Sequence, residues 1–236
     1  RFSSSTPFHI KTPLMQRAIE IFTGLVLTTA LAAAEPPPLR FDTSDFGPAG
    51  SDAPQIEPWR EIRIDPLYGG HWIVTGDLDG DGAADIVSAQ NALGDGIHTT
   101  SSAVAQRLDG SILWRWGDPT AGQKEVGYDV GLQIYDWDGD GNNEVILLTE
   151  GFLVELDGAT GQVRRRFAIP KRATDCLIFA NLSGGPRATD VIVKDRYRRI
   201  WAYNQKGEQL WGGDWKPGGY PTAHQARPID LDGDGK

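Results

Sequence analysis

Three acidic segments of the chain carry the residues best suited to chemistry. The sequence DLDGDGAAD at residues 77–85 (the first acidic loop) recurs as DWDGDGNNE at 136–144 (the second) and, in part, as DLDGDG at 230–235 (the third). Carboxylates at the first, third, fifth and ninth places, with glycines that permit sharp turns, converge on one point and supply the oxygen ligands that Ca²⁺ prefers. We therefore predict a structural Ca²⁺ ion in each intact loop. The predicted ligands are Asp77, Asp79, Asp81, Asp85, Asp136, Asp138, Asp140, Glu144, Asp230, Asp232 and Asp234.

Other interpretations of these loops stay open at the level of sequence. Mg²⁺ fits less well than Ca²⁺ because it demands stricter octahedral geometry. An EF-hand has similar spacing, but it places a glutamate at the twelfth position between two helices, whereas the twelfth positions here are Ser88 and Leu147. The loops could also be acidic, glycine-rich turns without an ion. Short β-branched runs on both sides of each intact loop favour the order strand, ion loop, strand.

A longer repeat surrounds the acidic loops and positions them. Each unit closes with a hairpin whose turn is Asp109-Gly110, Asp157-Gly158 or Lys206-Gly207, and the first two are strong hairpin signals. Residues 181–190 occupy the place of a further loop that has lost its acids, here named the acid-poor loop. The loops recur every 45 to 60 residues or so, the length of a propeller blade. The predicted fold class is all-β: a partial β-propeller of four-stranded blades, the N-terminal fragment of a ring of about seven or eight.

Several finer expectations follow from this repeat. Residues 59–64 resemble the last strand of a blade, which would close the ring, and residues 90–102 are predicted to form a loop that lengthens the first unit. The first strand of each blade should line the central channel. The six residues from His71 to Asp77 span about 20 Å. The ions should therefore lie at one face of the propeller, and the opposite face is the candidate binding surface.

The predicted organisation of the chain has three parts. Residues 1–34 comprise upstream residues and a secretory signal peptide that begins at Met15, since a basic head, a short apolar run and small residues near Ala34 precede three prolines. An uncleaved membrane anchor is the alternative. Residues 35–55 form a linker, and residues 56–236 form the blades. The expected location is secreted, periplasmic or extracellular, with no membrane span in the mature chain.

Composition narrows the choice of partners. The formal net charge is −9, and the acidic loops account for it, so the remaining surface is close to neutral. No nucleic-acid partner is expected, because the sequence has no basic stripe beyond the short run 164–166. The single cysteine, Cys176, excludes an internal disulfide. Nothing in the sequence indicates an oligomeric state.

The predicted binding surface contains residues suited to proton transfer beside a carboxylate. Imidazole titrates near neutral pH, a tyrosine can donate a proton to a leaving oxygen, and an arginine can neutralise an anion. Aromatic rings beside polar groups also suit sugars. The candidate catalytic residues are His71, His224, Tyr128, Tyr197 and Arg196, with Lys194, Arg172, Asp175 and Tyr220 near them. His98 is a weaker candidate because it lies in the predicted loop.

Four-stranded units with acidic loops after the first strand resemble the FG-GAP or VCBS-type repeats of integrin-like β-propellers. The resemblance covers residues 55–236, although the Phe-Gly and Gly-Ala-Pro signature is not repeated. With the predicted signal peptide and the segment from His224, the chain also resembles secreted propeller polysaccharide lyases such as rhamnogalacturonan and ulvan lyases.

The resemblance to lyases implies β-elimination at a uronic acid. In that reaction His71 or His224 would be the base, a tyrosine (Tyr128, Tyr197 or Tyr220) the acid, and Arg196 or Lys194 would hold the carboxylate. The alternative is a non-catalytic extracellular module that binds glycan or protein for adhesion. The sequence leaves the choice between enzyme and binding module open, and it predicts a polysaccharide or an extracellular protein as the ligand.

Overall fold

Twelve β-strands form the regular structure of the described chain. The computed structural model describes residues 58–94, 97–122, 130–214 and 225–235, and none of these residues is helical. The described part of the chain is therefore all-β, as the sequence predicts. The strands are β1 (Trp72–Gly76), β2 (Asp85–Gly94), β3 (Ile97–Arg107), β4 (Ile112–Gly117), β5 (Leu132–Tyr135), β6 (Glu144–Thr149), β7 (Phe152–Asp157), β8 (Val163–Ala168), β9 (Cys176–Ala180), β10 (Asp190–Lys194), β11 (Arg199–Tyr203) and β12 (Gln209–Asp214).

The strands form three four-stranded sheets in chain order. The sheets are β1-β2-β3-β4, β5-β6-β7-β8 and β9-β10-β11-β12, and all neighbouring strands are antiparallel. The first strands of successive sheets lie side by side, since β1 contacts β5 and β5 contacts β9. Sheets of this kind, arranged around their first strands, are the blades of a β-propeller. The prediction of a partial propeller is confirmed.

The second strand of the middle blade has four consecutive apolar residues between its ends, because it packs against a core on each face. Val145 and Leu147 belong to the core between the first and second blades. Ile146 and Leu148 belong to the core between the second and third blades. Successive side chains of a strand point to opposite faces. Strand β6 therefore contributes to two cores at once, and all four side chains are fully buried.

The prediction of a loop at residues 90–102 is wrong. Strands β2 and β3 continue through this region as a paired hairpin with a bulge between Gln90 and Asn91. They have 10 and 11 residues, whereas the second strands of the other blades have 6 and 5. The extra length lies at the end of the blade away from the acidic loop. The polar side chains of this stretch do not predict a strand. Hydrogen bonds between the backbones of β2 and β3 hold it in an extended conformation.

The expected strand at residues 59–64 is also not formed. This segment instead lies against the turn between β3 and β4. Arg60 Nη1 donates to the carbonyl of Leu108, and Gln106 Nε2 donates to the carbonyl of Arg63. A strand needs the backbone of a neighbouring strand, and in the described residues this segment is held by side chains.

A β-bulge recurs at the same place in the fourth strand of every blade. The pairing register shifts between Ala105 and Gln106, between Glu155 and Leu156, and between Ala202 and Tyr203. The extra residue opposite each shift belongs to the fourth strand. These bulged residues are Leu113 in β4, Arg164 in β8 and Leu210 in β12.

Replacing Leu147 with alanine tests the packing between blades. The fully buried side chain lies in the core shared by the first two blades, so its removal should lower the free energy of unfolding by about 2–5 kcal/mol. Urea unfolding followed by tryptophan fluorescence measures this loss. The control is Leu67→Ala, because Leu67 is 47% exposed and should lose less than about 1 kcal/mol. Equal losses in the two variants would contradict the described core.

Candidate functional site

The acidic loops share one pattern of internal hydrogen bonds. Asp77 accepts hydrogen bonds from the backbone N–H groups of Gly80 and Gly82, at 2.8 and 2.9 Å. The same pair of bonds recurs at the first aspartate of the second and third loops. Both glycines have φ near +80° in the first loop, a conformation that other residues rarely adopt. The sequence thus folds each loop around its first carboxylate.

The last acid of each intact loop has a structural partner of its own. Asp85 Oδ2 accepts the backbone N–H of Leu78 at 3.0 Å, and Glu144 Oε2 accepts that of Trp137 at 2.8 Å. Burial raises the pKa of Asp85 and of Glu144 above the ordinary values, and neighbouring carboxylates raise them further. A cation between the carboxylates would oppose this effect by stabilising the charged forms.

The loops bring their carboxylates close enough to share a cation. In each loop, three residues offer oxygens that lie within 4.8 Å of one another. The fifth-place acids of the first two loops, Asp81 and Asp140, belong to neither group and accept the backbone N–H groups of Ala83 and Asn142. The three groups are Asp77, Asp79 and Asp85; Asp136, Asp138 and Glu144; and Asp230, Asp232 and Asp234.

The first acidic loop fits a bound cation best. Arg107 Nη2 pairs with Asp79 Oδ2 at 2.5 Å, but the other oxygen, Asp79 Oδ1, is buried with no hydrogen-bond partner. A buried carboxylate oxygen that is left unpaired costs free energy. A Ca²⁺ ion held by Asp77, Asp79 and Asp85 would satisfy this oxygen with a hard positive charge.

The acid-poor loop keeps more of the motif than the sequence indicates. Asp190 Oδ2 accepts the backbone N–H of Leu182 at 2.8 Å, as Asp85 and Glu144 do in their loops. The expectation that this loop has lost its acids is therefore wrong for the last one. A single inserted residue between Asn181 and Asp190 conceals the match in the sequence.

Neighbouring loops are tied to one another along one face of the propeller. Asn143 Nδ2, in the second loop, donates to the carbonyl of Asp77 at 2.8 Å. Arg187, in the acid-poor loop, donates to the carbonyl of Asp136. Asn181 Nδ2 donates to the carbonyl of Gly235 in the third loop at 2.6 Å. The loops therefore form a continuous row, as expected if one face carries all the ions.

A basic cavity of about 480 Å³ lies at the opposite end of the third blade. Strand β9 lies between Asp175, at the cavity, and Asn181, at the acid-poor loop. A strand of this length spans about 16 Å, so the cavity and the acidic row are well separated. The cavity is lined by Arg172, Thr174, Asp175, the turn 195–199 and His98.

The extended hairpin of the first blade contributes His98 to this cavity. Thr174 Oγ1 donates to the carbonyl of His98, and Arg196 Nη2 lies 2.9 Å from His98 Nδ1. Because a guanidinium only donates, Nδ1 must accept, which leaves His98 neutral with its proton on Nε2. Arg196 Nε also pairs with Asp175 at 3.3 Å. The hairpin thus connects the first blade to the third.

The predicted catalytic residues are only partly brought together. Arg196 and Tyr197 line the basic cavity with Arg172 and Asp175, whereas His71 does not; its Nδ1 lies 2.8 Å from Asn91 Oδ1. Lys194 is buried and donates to the carbonyls of Asp195 and Arg196, so it shapes the turn. The remaining candidates, Tyr128, His224 and Tyr220, lie outside the described residues, as do the predicted signal peptide and linker.

His98 contributes more to the cavity than its sequence context indicates. It stands in a polar stretch whose composition is typical of a loop, far in the chain from Arg196. The sequence does contain one indication that this stretch is unusual: the interval between the first two acidic loops is long, which indicates an insertion in the first blade. The pairing of β2 with β3 determines the direction in which the inserted residues extend, and this direction is not apparent from the sequence.

No protein-family model matches the chain, and no curated protein matches it. Among solved structures it is similar to the exotype rhamnogalacturonan lyase YesX (TM-score 0.49, 20% identity, 71% of this chain and 37% of that chain). It is also similar to the Bacillus licheniformis rhamnogalacturonan lyase PL11 (0.47, 22%, 71% and 39%). A third is the V. cholerae biofilm matrix protein Bap1 (0.41, 20%, 64% and 25%). The chain spans less than two fifths of the length of each.

In the part of the chain that the structure describes, no helix is both long and apolar enough to cross a bilayer.

Replacing Gly82 with alanine tests the backbone conformation of the first acidic loop. Gly82 has φ +83°, and a Cβ atom there would meet nothing within 4 Å. The substitution should therefore destabilise the protein by about 1 kcal/mol through backbone strain alone. Thermal unfolding measures the change. Gly213→Ala is the matched control, since Gly213 also has open space but lacks a positive φ; its stability should stay the same or rise. A Gly82→Ala variant as stable as the control would contradict the loop geometry.

Proposed function

We propose that the chain belongs to a secreted, calcium-stabilised β-propeller that binds acidic polysaccharide through the basic cavity. The observation that carries the proposal is the cluster of arginines around an exposed tyrosine at the end of the blades opposite the acidic loops. Cations are held at one face, and an anion binds at the other. The predicted signal peptide gives the export that an extracellular polysaccharide requires.

The charges of the cavity favour an anionic ligand. Four arginines, Arg172, Arg196, Arg198 and Arg199, line it together with two aspartates. Arg198 and Arg199 also pair with Asp214 at 2.8 Å. A planar guanidinium forms paired hydrogen bonds with a carboxylate. Among the arginines of the cavity, we assign Arg172 and Arg196, which come from different segments of the chain, to the carboxylate of a uronic acid.

The shape and composition of the cavity favour a sugar as the carrier of that anion. The side chain of Tyr197 is 47% exposed, and the guanidinium of Arg196 lies 5.7 Å from its ring centre. An exposed aromatic ring beside hydrogen-bonding groups can pack on the apolar face of a sugar. His98 lines the same cavity and adds a polar imidazole group to its wall.

In this proposal the acidic loops stabilise the folded propeller by binding Ca²⁺. Asp77, Asp79 and Asp85 would hold Ca²⁺ in the first loop, and Asp230, Asp232 and Asp234 would do so in the third. The ion supplies positive charge that neutralises the carboxylates. Because the loops hydrogen-bond to one another, neutralising each loop stabilises the joined face.

β-Elimination by the same cavity is a second candidate function. Its support is that Arg196, Tyr197 and His98 line one cavity. Arg196 would neutralise the uronate carboxylate, which makes the adjacent C–H proton more acidic. Nδ1 of His98 is engaged by Arg196, so His98 is not placed to accept a proton at this atom. The base would then be Tyr197 or a residue outside the described ranges. A non-catalytic module that binds glycan or an extracellular protein remains the alternative.

Binding of polygalacturonate tests the proposal. Arg172→Gln and Arg196→Gln should each weaken binding at least tenfold in calorimetry, about 1.4 kcal/mol, because each removes a guanidinium from the carboxylate site. Neutral galactan should not bind. Arg166→Gln is the matched control, since Arg166 stacks on Phe152 outside the cavity. Unchanged affinity in both cavity variants would contradict the assignment. Absorbance from an unsaturated product, followed in the same samples, distinguishes a lyase from a binding module.

A further inference from the structure

The bulged residue of the fourth strand differs in character between the blades. It is Leu113 in the first blade, Leu210 in the third and Arg164 in the second. A β-bulge changes the direction in which a side chain points relative to its neighbours in the strand. The same backbone irregularity therefore presents an apolar group in two blades and a permanent positive charge in one.

Arg164 contacts three acids of the second acidic loop. Its Nη2 lies 2.8 Å from Asp138 Oδ2 and 4.0 Å from Asp140 Oδ2, and its Nη1 donates to Glu144 Oε1. The carboxylate of Glu144 is 1% exposed, and its other oxygen accepts the N–H of Trp137. Both oxygens of this buried acid are therefore engaged, and its charge is compensated by the protein itself.

The first acidic loop lacks an equivalent compensation. Among the described residues, Arg107 forms its one ion pair with Asp79 and is 43% exposed, and Asp79 Oδ1 finds no hydrogen-bond partner there. The corresponding bulged residue, Leu113, carries no charge and packs against the apolar core. In contrast, no side-chain oxygen of the described second loop is buried and unpaired.

A second arginine adds to the positive charge around the second loop. Arg187, in the acid-poor loop, has its Nη2 3.5 Å from Asp136 Oδ2 and also donates to the carbonyl of Asp136. The second loop thus faces two guanidinium groups from different strands or loops. A divalent cation that enters this loop must compete with a positive charge that is already hydrogen-bonded to its ligands.

We propose that Arg164 is a resident counter-ion of the second acidic loop, which keeps its shape without metal and binds Ca²⁺ more weakly than the first loop does. The inference rests on the proposed function in one respect, namely that the first loop binds Ca²⁺. The two similar motifs then differ in function. The first loop binds and releases Ca²⁺ as the calcium concentration changes, whereas the second loop keeps its conformation when calcium is absent.

Calcium titration of full-length chains that keep one intact loop each tests this inference. A loop is disabled by asparagine at its first and third places. After removal of metal with EDTA, calorimetry should give a Kd at least tenfold weaker for the second loop than for the first. Arg164→Leu should tighten binding to the second loop at least tenfold, because the competing charge is gone. Arg164→Lys keeps the charge and should leave binding weak.

Arg166→Leu, on the same strand but away from the acids, is the control and should bind like the unchanged chain. Thermal melting provides a second measure, because Arg164→Leu leaves Glu144 uncompensated: the Tm of the second-loop chain should become calcium-dependent. An affinity of the second loop that changes less than twofold in Arg164→Leu overturns the inference, whatever the first loop does. A first loop that fails to bind calcium contradicts the proposed calcium role, whatever the second loop does.

Discussion

The crowding of carboxylates in tight loops is the constraint on which the described face of the propeller depends. Each loop gathers acids whose oxygens lie within 4.8 Å of one another, and in the two intact loops the last acid is buried against the backbone of its own loop. Such an arrangement is stable only if positive charge is supplied. The loops are also hydrogen-bonded to their neighbours. The charge balance of each loop therefore affects how successive blades are joined.

The short first strands separate this acidic row from the opposite face. Five residues of β9 lie between Asp175, in the basic cavity, and Asn181, in the acid-poor loop. The extended hairpin β2–β3 brings His98 to the cavity, so the site is built from the first and third blades together. An anionic ligand at this end would lie away from the carboxylates that repel it. The proposed division into a stabilising face and a binding face follows from this geometry.

Sequence predicted the features that are encoded locally. The acidic loops, the buried second strands and the four-stranded period were confirmed, because glycine positions and runs of apolar residues specify them directly. The prediction of a loop failed at residues 98–102 because they are polar on both faces, and only pairing with β2 makes them a strand. Residues 59–64 have the composition of a strand but no strand partner among the described residues. The proposed counter-ion role of Arg164 depends on a β-bulge, which cannot be predicted from the sequence.

Melting of the full chain at increasing calcium concentration tests most directly whether the acidic loops stabilise the fold by holding a cation. The account predicts that Tm falls on addition of EDTA, returns with Ca²⁺ and rises with its concentration as expected for a ligand of the folded state. It also predicts that Asp77→Asn with Asp79→Asn removes most of this dependence. A Tm that is the same with EDTA as with saturating Ca²⁺ would contradict it.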